Sequence, residues 1–149
     1  MSGFLYLMNR NNLDLTILNP GGNITALIKG IPANPLQRKL VNDAVMKRFP
    51  KVEQVGFYTF SPPRLQMAGG EFCGNATRCL AYLLLDDKLG EIKIRVSGVN
   101  MLLAARIDRN GNTWAQMPLP QAAIRKAGDC LHRAPKRDYS SYNLSAVIN

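Results

Sequence analysis

Apolar and polar residues alternate along Leu13-Asp14-Leu15-Thr16-Ile17-Leu18, the period of a half-buried strand. Asn19-Pro20-Gly21-Gly22 interrupts it with turn-forming residues. Asn23 to Lys29 (NITALIK) is rich in strand-forming residues and predicts the returning strand. At Asn34-Pro35 the period changes. An N-cap side chain followed by proline at the first helical position opens a helix. Leu36, Leu40, Val41, Ala44, Val45 and Phe49 mark its apolar face at helical spacing. Pro50 closes it. Val52 to Phe60 then predicts a strand, Ser61 to Arg64 a loop, and Leu65-Gln66-Met67 a short strand ahead of Gly69-Gly70.

Cys73 to Leu85 (CGNATRCLAYLLL) is apolar almost all round, apart from Asn75, Thr77 and Arg78 near its start. A helix of that kind is buried in the middle of a domain. Two alternating strands follow, Glu91–Val99 and Met101–Ile107, then a turn containing Asn110-Gly111 and a return over Thr113–Met117. These elements predict an α+β domain in which a mixed, curled, barrel-like β-sheet wraps around a central buried helix, with a second helix outside. The first dozen residues read as an edge strand or a loose extension. From Gln121 onward no period is sustained. The expected organisation is one domain over residues 1–120 and an irregular basic tail over 121–149, either a poorly ordered end or the result of a truncated or shifted reading frame.

The 149 residues suffice for one ordinary domain, and 46% hydrophobic against 19% charged residues is a globular composition. No apolar run approaches the roughly 18 residues of a membrane span, and the opening MSGFLYLMNRNN is not a signal peptide. A cytoplasmic protein with no membrane partner is expected. Cys73, Cys79 and Cys130, an odd set, form no disulfide framework and suit a reducing compartment. The formal charge of +9 raises the question of nucleic acid. Its sources are scattered, however, over the first helix (Arg38, Lys39, Lys47, Arg48, with Lys51 beyond) and the tail (Arg125, Lys126, Arg133, Lys136, Arg137). No basic stripe interleaved with aromatics appears, so no nucleic-acid partner is expected, and attraction of small anions is the better reading.

The chemistry concentrates at Cys73. It opens the predicted buried helix, between Gly69-Gly70-Glu71-Phe72 and Gly74-Asn75. The unpaired N–H groups and the dipole at a helix amino terminus stabilise a thiolate and can hold a carboxylate. Glycine at 74 lets a ligand approach the backbone. A thiolate beside a carboxylate nest is what removal of an amino acid's α-proton requires. The competing reading is packing, because free cysteines are among the most buried residues. Cys79 lies about 240° around the helix from Cys73 at ~3.6 residues per turn and reads as core. No metal-ligand spacing, phosphate loop or nucleotide fingerprint appears, and the lone His132 falls in the tail.

The run Gly70-Glu71-Phe72-Cys73-Gly74-Asn75-Ala76-Thr77-Arg78-Cys79 resembles the first catalytic-cysteine motif, Cys-Gly-Asn-Gly-Ala-Arg-Cys, of the diaminopimelate epimerase superfamily. It is more similar still to the histidine racemases of opine-metallophore (staphylopine-type) biosynthesis. Those enzymes have stretches like Asn19–Thr25, Glu53–Phe57, Lys93–Gly98 and Gln116-Met117-Pro118 in the same order, so the resemblance covers roughly residues 13–120. The resemblance implies two similar domains, each a mixed sheet around a central helix, with the active site in the cleft between them. It implies a racemase or epimerase that needs neither pyridoxal nor metal. One thiolate removes the α-proton of a small amino-acid substrate and a thiol on the opposite face returns one.

Carried over, Cys73 is the catalytic thiol of this half, Gly74 and Asn75 help to hold the substrate carboxylate, and Asn23 contacts substrate. The second domain and its cysteine are not expected in this chain, since Cys130 lacks the glycine- and threonine-rich context of the family's second cysteine. The chain alone is therefore expected to racemise poorly, unless two copies pair as a homodimer with Cys73 facing Cys73. Arg64 stands where diaminopimelate epimerases usually have asparagine, which weakens diaminopimelate as substrate, and histidine and diaminopimelate are the candidates. Cys-Gly-Asn-Ala-Thr is also similar to the phenazine-biosynthesis isomerases, which use a carboxylate base, a role for which Glu71 is the candidate. The alternative reading is a non-catalytic remnant that binds a small acid or a partner chain.

Overall fold

In the computed structural model, which describes residues 13–118, one seven-stranded mixed sheet carries two helices. The strands are β1 (Leu15–Leu18), β2 (Thr25–Lys29), β3 (Gln54–Phe60), β4 (Pro63–Met67), β5 (Gly90–Val96), β6 (Leu102–Ile107) and β7 (Thr113–Ala115). They lie in the sheet in chain order. Neighbours joined by turns are antiparallel, whereas β2/β3 and β4/β5 are parallel. A parallel pair needs a crossover, and each here contains a helix. Helix α1 (Pro35–Arg48) bridges β2 to β3, and α2 (Gly74–Leu85) bridges β4 to β5.

The two helices lie on opposite faces of the sheet. Along β2, Ala26 and Ile28 join Val41 and Val45 of α1 in one apolar cluster, while Leu27 joins Leu80 and Cys79 of α2 in the other. Strand β3 divides the same way, Val55 and Phe57 toward α1 and Tyr58 toward α2. Covered on both sides, these strands read as nearly continuous apolar runs. Strands β5 and β6 are covered on one face only. Ile94, Val96, Leu103 and Ala105 turn to α2 while Lys93, Arg95 and Arg106 face solvent, which produced the clear alternation in the sequence.

Helix α2 packs against β2 through β7, so the sheet curls into a half-barrel around it. Ala76, Cys79, Leu80 and Ala81 are all fully buried. Gly56 gives the neighbouring strands' side chains room: a Cβ there would lie 2.9 Å from Leu65 Cδ1 and 3.1 Å from Leu27 Cδ2. Asp86 ends the helix in the left-handed region with its N–H returned to the last turn.

Three expectations need correction. Ser61 to Arg64 is not all loop, since β4 begins at Pro63, directly opposite Phe60. Proline is tolerated at the first residue of a strand, so the turn shrinks to Ser61-Pro62. The Glu91–Val99 strand ends at Val96, because Gly98 takes a positive φ of 75°. Leu36 and Leu40 are exposed rather than on the buried face of α1. That helix rests on the sheet through a narrow stripe centred on Val41 and Val45, and its first turns overhang. The expectations for residues 1–12 and for the tail lie outside the described residues.

Leu80→Ala is expected to lower the unfolding free energy by about 3 kcal/mol, because α2 leaves no room for collapse around the cavity. Leu36→Ala is expected to change it by less than about 0.5 kcal/mol. Urea titrations followed by circular dichroism check both values.

Candidate active site

Cys73 is the N-cap of α2. Its φ and ψ of −137° and 112° are extended, and the helix proper begins at Gly74. The thiol takes the part that a serine or aspartate oxygen usually plays: Ala76 N–H donates to Cys73 Sγ at 3.4 Å. Thr77 Oγ1 donates to the Cys73 carbonyl at 2.8 Å, fixing the backbone that carries the sulfur. The Gly74 and Asn75 N–H groups, first in the helix, have no intrahelical acceptor.

The segment before the helix is held from β5–β6. Ser97 Oγ donates to the Glu71 carbonyl at 2.7 Å and accepts from Met67 N–H at 2.9 Å. At Gly98 a Cβ would come within 2.6 Å of Phe72 N, a clash with backbone that glycine alone avoids. The two residues thus clamp the approach to Cys73.

A cavity of about 390 Å³ opens at this helix start. Asn23, Cys73, Gly74 and Asn75, the four residues singled out in the sequence, all line it. Phe72 and Met117 form apolar walls, and Arg78 brings a guanidinium. Asn23 sits on the exposed rim with a positive φ of 58°, a conformation asparagine adopts more readily than most residues. A Cβ on Gly74 would sit 3.0 Å from Met117 Sδ, so a larger residue there would force the wall outward.

Behind the sulfur stand residues that the sequence reading did not name as site residues. Cys73 Sγ–H donates to Gln54 Oε1 at 2.9 Å, Gln54 Nε2 donates to Thr25 Oγ1 at 2.6 Å, and Thr25 Oγ1 donates to the Asn23 carbonyl at 2.9 Å. The parallel register of β2 and β3 places Thr25 opposite Gln54 and so builds this chain. In the sequence Gln54 simply follows Glu53 at the edge of the apolar run of β3, which gave no signal of the chain. Arg78 is 3% exposed, and its guanidinium donates to Asn75 Oδ1. Burial holds the Arg78 pKa below its ordinary value, opposed by the neighbouring Cys79 and Cys73 sulfurs. Glu71 is not in this cavity. It is exposed, its carboxylate lies against Gly69, and it lines a separate hollow with Lys39 and Asp43.

Cys79 belongs to the core, as expected, with no exposed surface. Burial pushes its thiol up to about 12, against the opposing pull of Arg78 and a hydrogen bond with Thr25. Cys130 and His132 lie outside the described residues. Among those residues no group of three or more His, Cys, Asp or Glu side chains is placed to hold a metal, and no helix is long and apolar enough to cross a membrane.

Comparison with known proteins leads to racemases. The sequence matches the family described as "Histidine racemase CntK N-terminal domain" over residues 12–134. It is 44% identical over 105 residues to a histidine racemase of Fusobacterium nucleatum subsp. nucleatum (strain ATCC 23726), covering 66% of this chain and 39% of that protein. With the histidine racemase of strain ATCC 25586 of the same subspecies the identity is 45% over 73 residues, 48% of this chain and 27% of the relative. With that of Staphylococcus aureus (strain Mu50) it is 29% over 124 residues, 77% and 45% of the two chains. The chain spans less than half the length of each of these curated relatives. It belongs to the family of histidine racemase N-terminal domains.

The Cys79 thiol gives a pH test of the packing. Its proton is held more tightly folded than unfolded, so its contribution to stability is intact below about pH 9 and is lost as pH rises toward 12. Urea unfolding free energies are expected to decline between about pH 9 and 10, by at most about 1.4 kcal/mol per unit. Cys79→Ala is expected to flatten that decline.

Proposed function

We propose that this chain carries the Cys73 half of a cofactor-independent histidine racemase built on a diaminopimelate epimerase-like architecture. The observation that carries the reading is the gathering of Asn23, Cys73, Gly74 and Asn75 around one cavity at the amino terminus of the buried helix. An amino acid has an anionic carboxylate, and the proton on its α-carbon is hard to remove because the carbanion localises charge beside that carboxylate. The Gly74 and Asn75 N–H groups and the helix dipole face the place where the charge grows, and the Arg78 guanidinium adds to the field. The Cys73 sulfur is then the group that takes or returns the α-proton. Asn23 at the rim is placed to meet the substrate's polar groups.

Histidine is the proposed substrate because the relatives are histidine racemases. The opposite face of the substrate is met, in this reading, by a second similar domain or by a second copy of this chain. The site belongs to cytoplasmic amino-acid metabolism, with metallophore biosynthesis as the proposed setting.

The test is α-proton exchange in deuterated water, followed by loss of the Hα resonance of L- and D-histidine. The chain is expected to exchange the α-proton with little inversion, and Cys73→Ala to reduce the rate at least 100-fold. Exchange that is absent, or that survives in Cys73→Ala, would overturn the reading.

A further inference from the structure

Strand β7 stands between two cavities. Successive side chains of an extended chain point to opposite faces of the sheet. Ala115 and Met117 line the Cys73 cavity, while Trp114 and Gln116 line a second one, of about 280 Å³, on the outer face. Glu91, Ala104 and Arg106 join them there.

The charges of this outer cavity are held apart. Glu91 of β5 stands directly opposite Arg106 of β6, a position from which opposite charges attract. No ion pair joins them, since among the described residues the ion pairs are Lys39–Asp43 and Lys88–Asp86. Arg106 instead lies over the Trp114 indole, 5.6 Å from the ring centre. The indole is itself fixed, because Trp114 Nε1–H donates to Asp108 at 2.8 Å. Gln116 has its amide oxygen committed: Oε1 accepts from Ala104 N–H at 3.1 Å, and the Gln116 N–H donates to the Ala104 carbonyl at 2.8 Å. The end left to the cavity is Nε2, which only donates. The cavity thus offers two donors, one carboxylate and a fixed aromatic wall. A simple anion is opposed by Glu91 and a simple cation by Arg106. A small molecule with both charges close together satisfies each.

We propose that the outer cavity binds a free α-amino acid as its zwitterion, with its carboxylate on Arg106 and Gln116 Nε2, its ammonium group on Glu91 and its side chain against Trp114. Lys93, opposite Ala104 on the same face, adds to the attraction of the carboxylate. The ligand comes either from the amino acid handled at the Cys73 site or from another amino acid of the cell. Seated there, it rests on the strand whose other side bounds the Cys73 cavity. The proposal stands whether or not the chain is a racemase.

Trp114 is the chain's single tryptophan, so its indole N–H gives one cross-peak in a proton–nitrogen correlation spectrum and reports on this cavity. Titration of the full chain with L-histidine and with L-phenylalanine is expected to move that peak saturably. A midpoint of about 1 mM is expected for the tighter of the two, the strength of a few charge-assisted contacts at an open site. Tighter histidine points to the amino acid of the Cys73 site as the source, and tighter phenylalanine to another. Histamine, which lacks the carboxylate, and imidazolepropionate, which lacks the ammonium group, are expected to bind at least about tenfold more weakly than histidine. Glu91→Gln and Arg106→Gln, both at exposed positions, are each expected to weaken the response about tenfold, while the rest of the spectrum confirms the fold.

A peak that moves equally in wild type and in both variants would put the binding elsewhere, the Cys73 cavity included, and overturn the proposal. No saturable movement up to about 20 mM would do the same, as would equal affinity for histidine, histamine and imidazolepropionate. Because α-proton exchange is read separately, the racemase reading and this site fail independently.

Discussion

Helix α2 offers apolar side chains in nearly every direction, and a helix of that kind cannot rest on a flat layer with one side in water. Burying it requires a surface that reaches around it, and only a curled sheet supplies one. The remaining architecture answers that requirement. The strands follow chain order with turns between most of them, so that the sheet can bend progressively from β2 to β7. Gly56 leaves room on β3 for the side chains of Leu27, Leu65 and Met67 under the helix. Helix α1 covers only the outer face of β2 and β3, where burial on the second side adds hydrophobic stabilisation.

Ala76 to Ala81 of α2 are buried while its first residues are only half-buried, and there the backbone N–H groups need partners. The sequence meets this with a sulfur rather than an oxygen at the N-cap. A hydroxyl would cap the helix better, so the thiol is a local sacrifice of stability of the kind found at reactive sites. The surrounding restraint is correspondingly firm. Ser97 and Gly98 hold the entering chain, Thr77 holds the Cys73 carbonyl, and Gln54 holds the sulfur. Such restraint fixes where the sulfur stands at the edge of the cavity.

Much of this was legible in the sequence because it depends on local patterns. The all-apolar run after Cys73 announced a buried helix, and Asn34-Pro35 marked the start of α1 where the Asn34 side chain caps Leu36 N–H at 2.8 Å. The Asn110-Gly111 turn was similarly plain, with Asp108 accepting from the N–H groups of Asn110 and Asn112. Cys73, Gly74 and Asn75 could be found because they are contiguous, and Asn23 because a resemblance brought it in. Thr25 and Gln54 were not named, since they meet only through the parallel register of β2 and β3, and no local signal sets that register. Leu36 and Leu40 misled for a related reason. Periodicity shows which helix face is apolar, but how much of it is covered depends on where the sheet ends.

Met117 lies two residues beyond the last strand and already forms a wall of the cavity, its sulfur over Gly74. The stretch that follows β7 is thus part of the cavity's wall. Met117 follows β7 by two residues, so a shift of that edge strand moves a wall of the cavity with it.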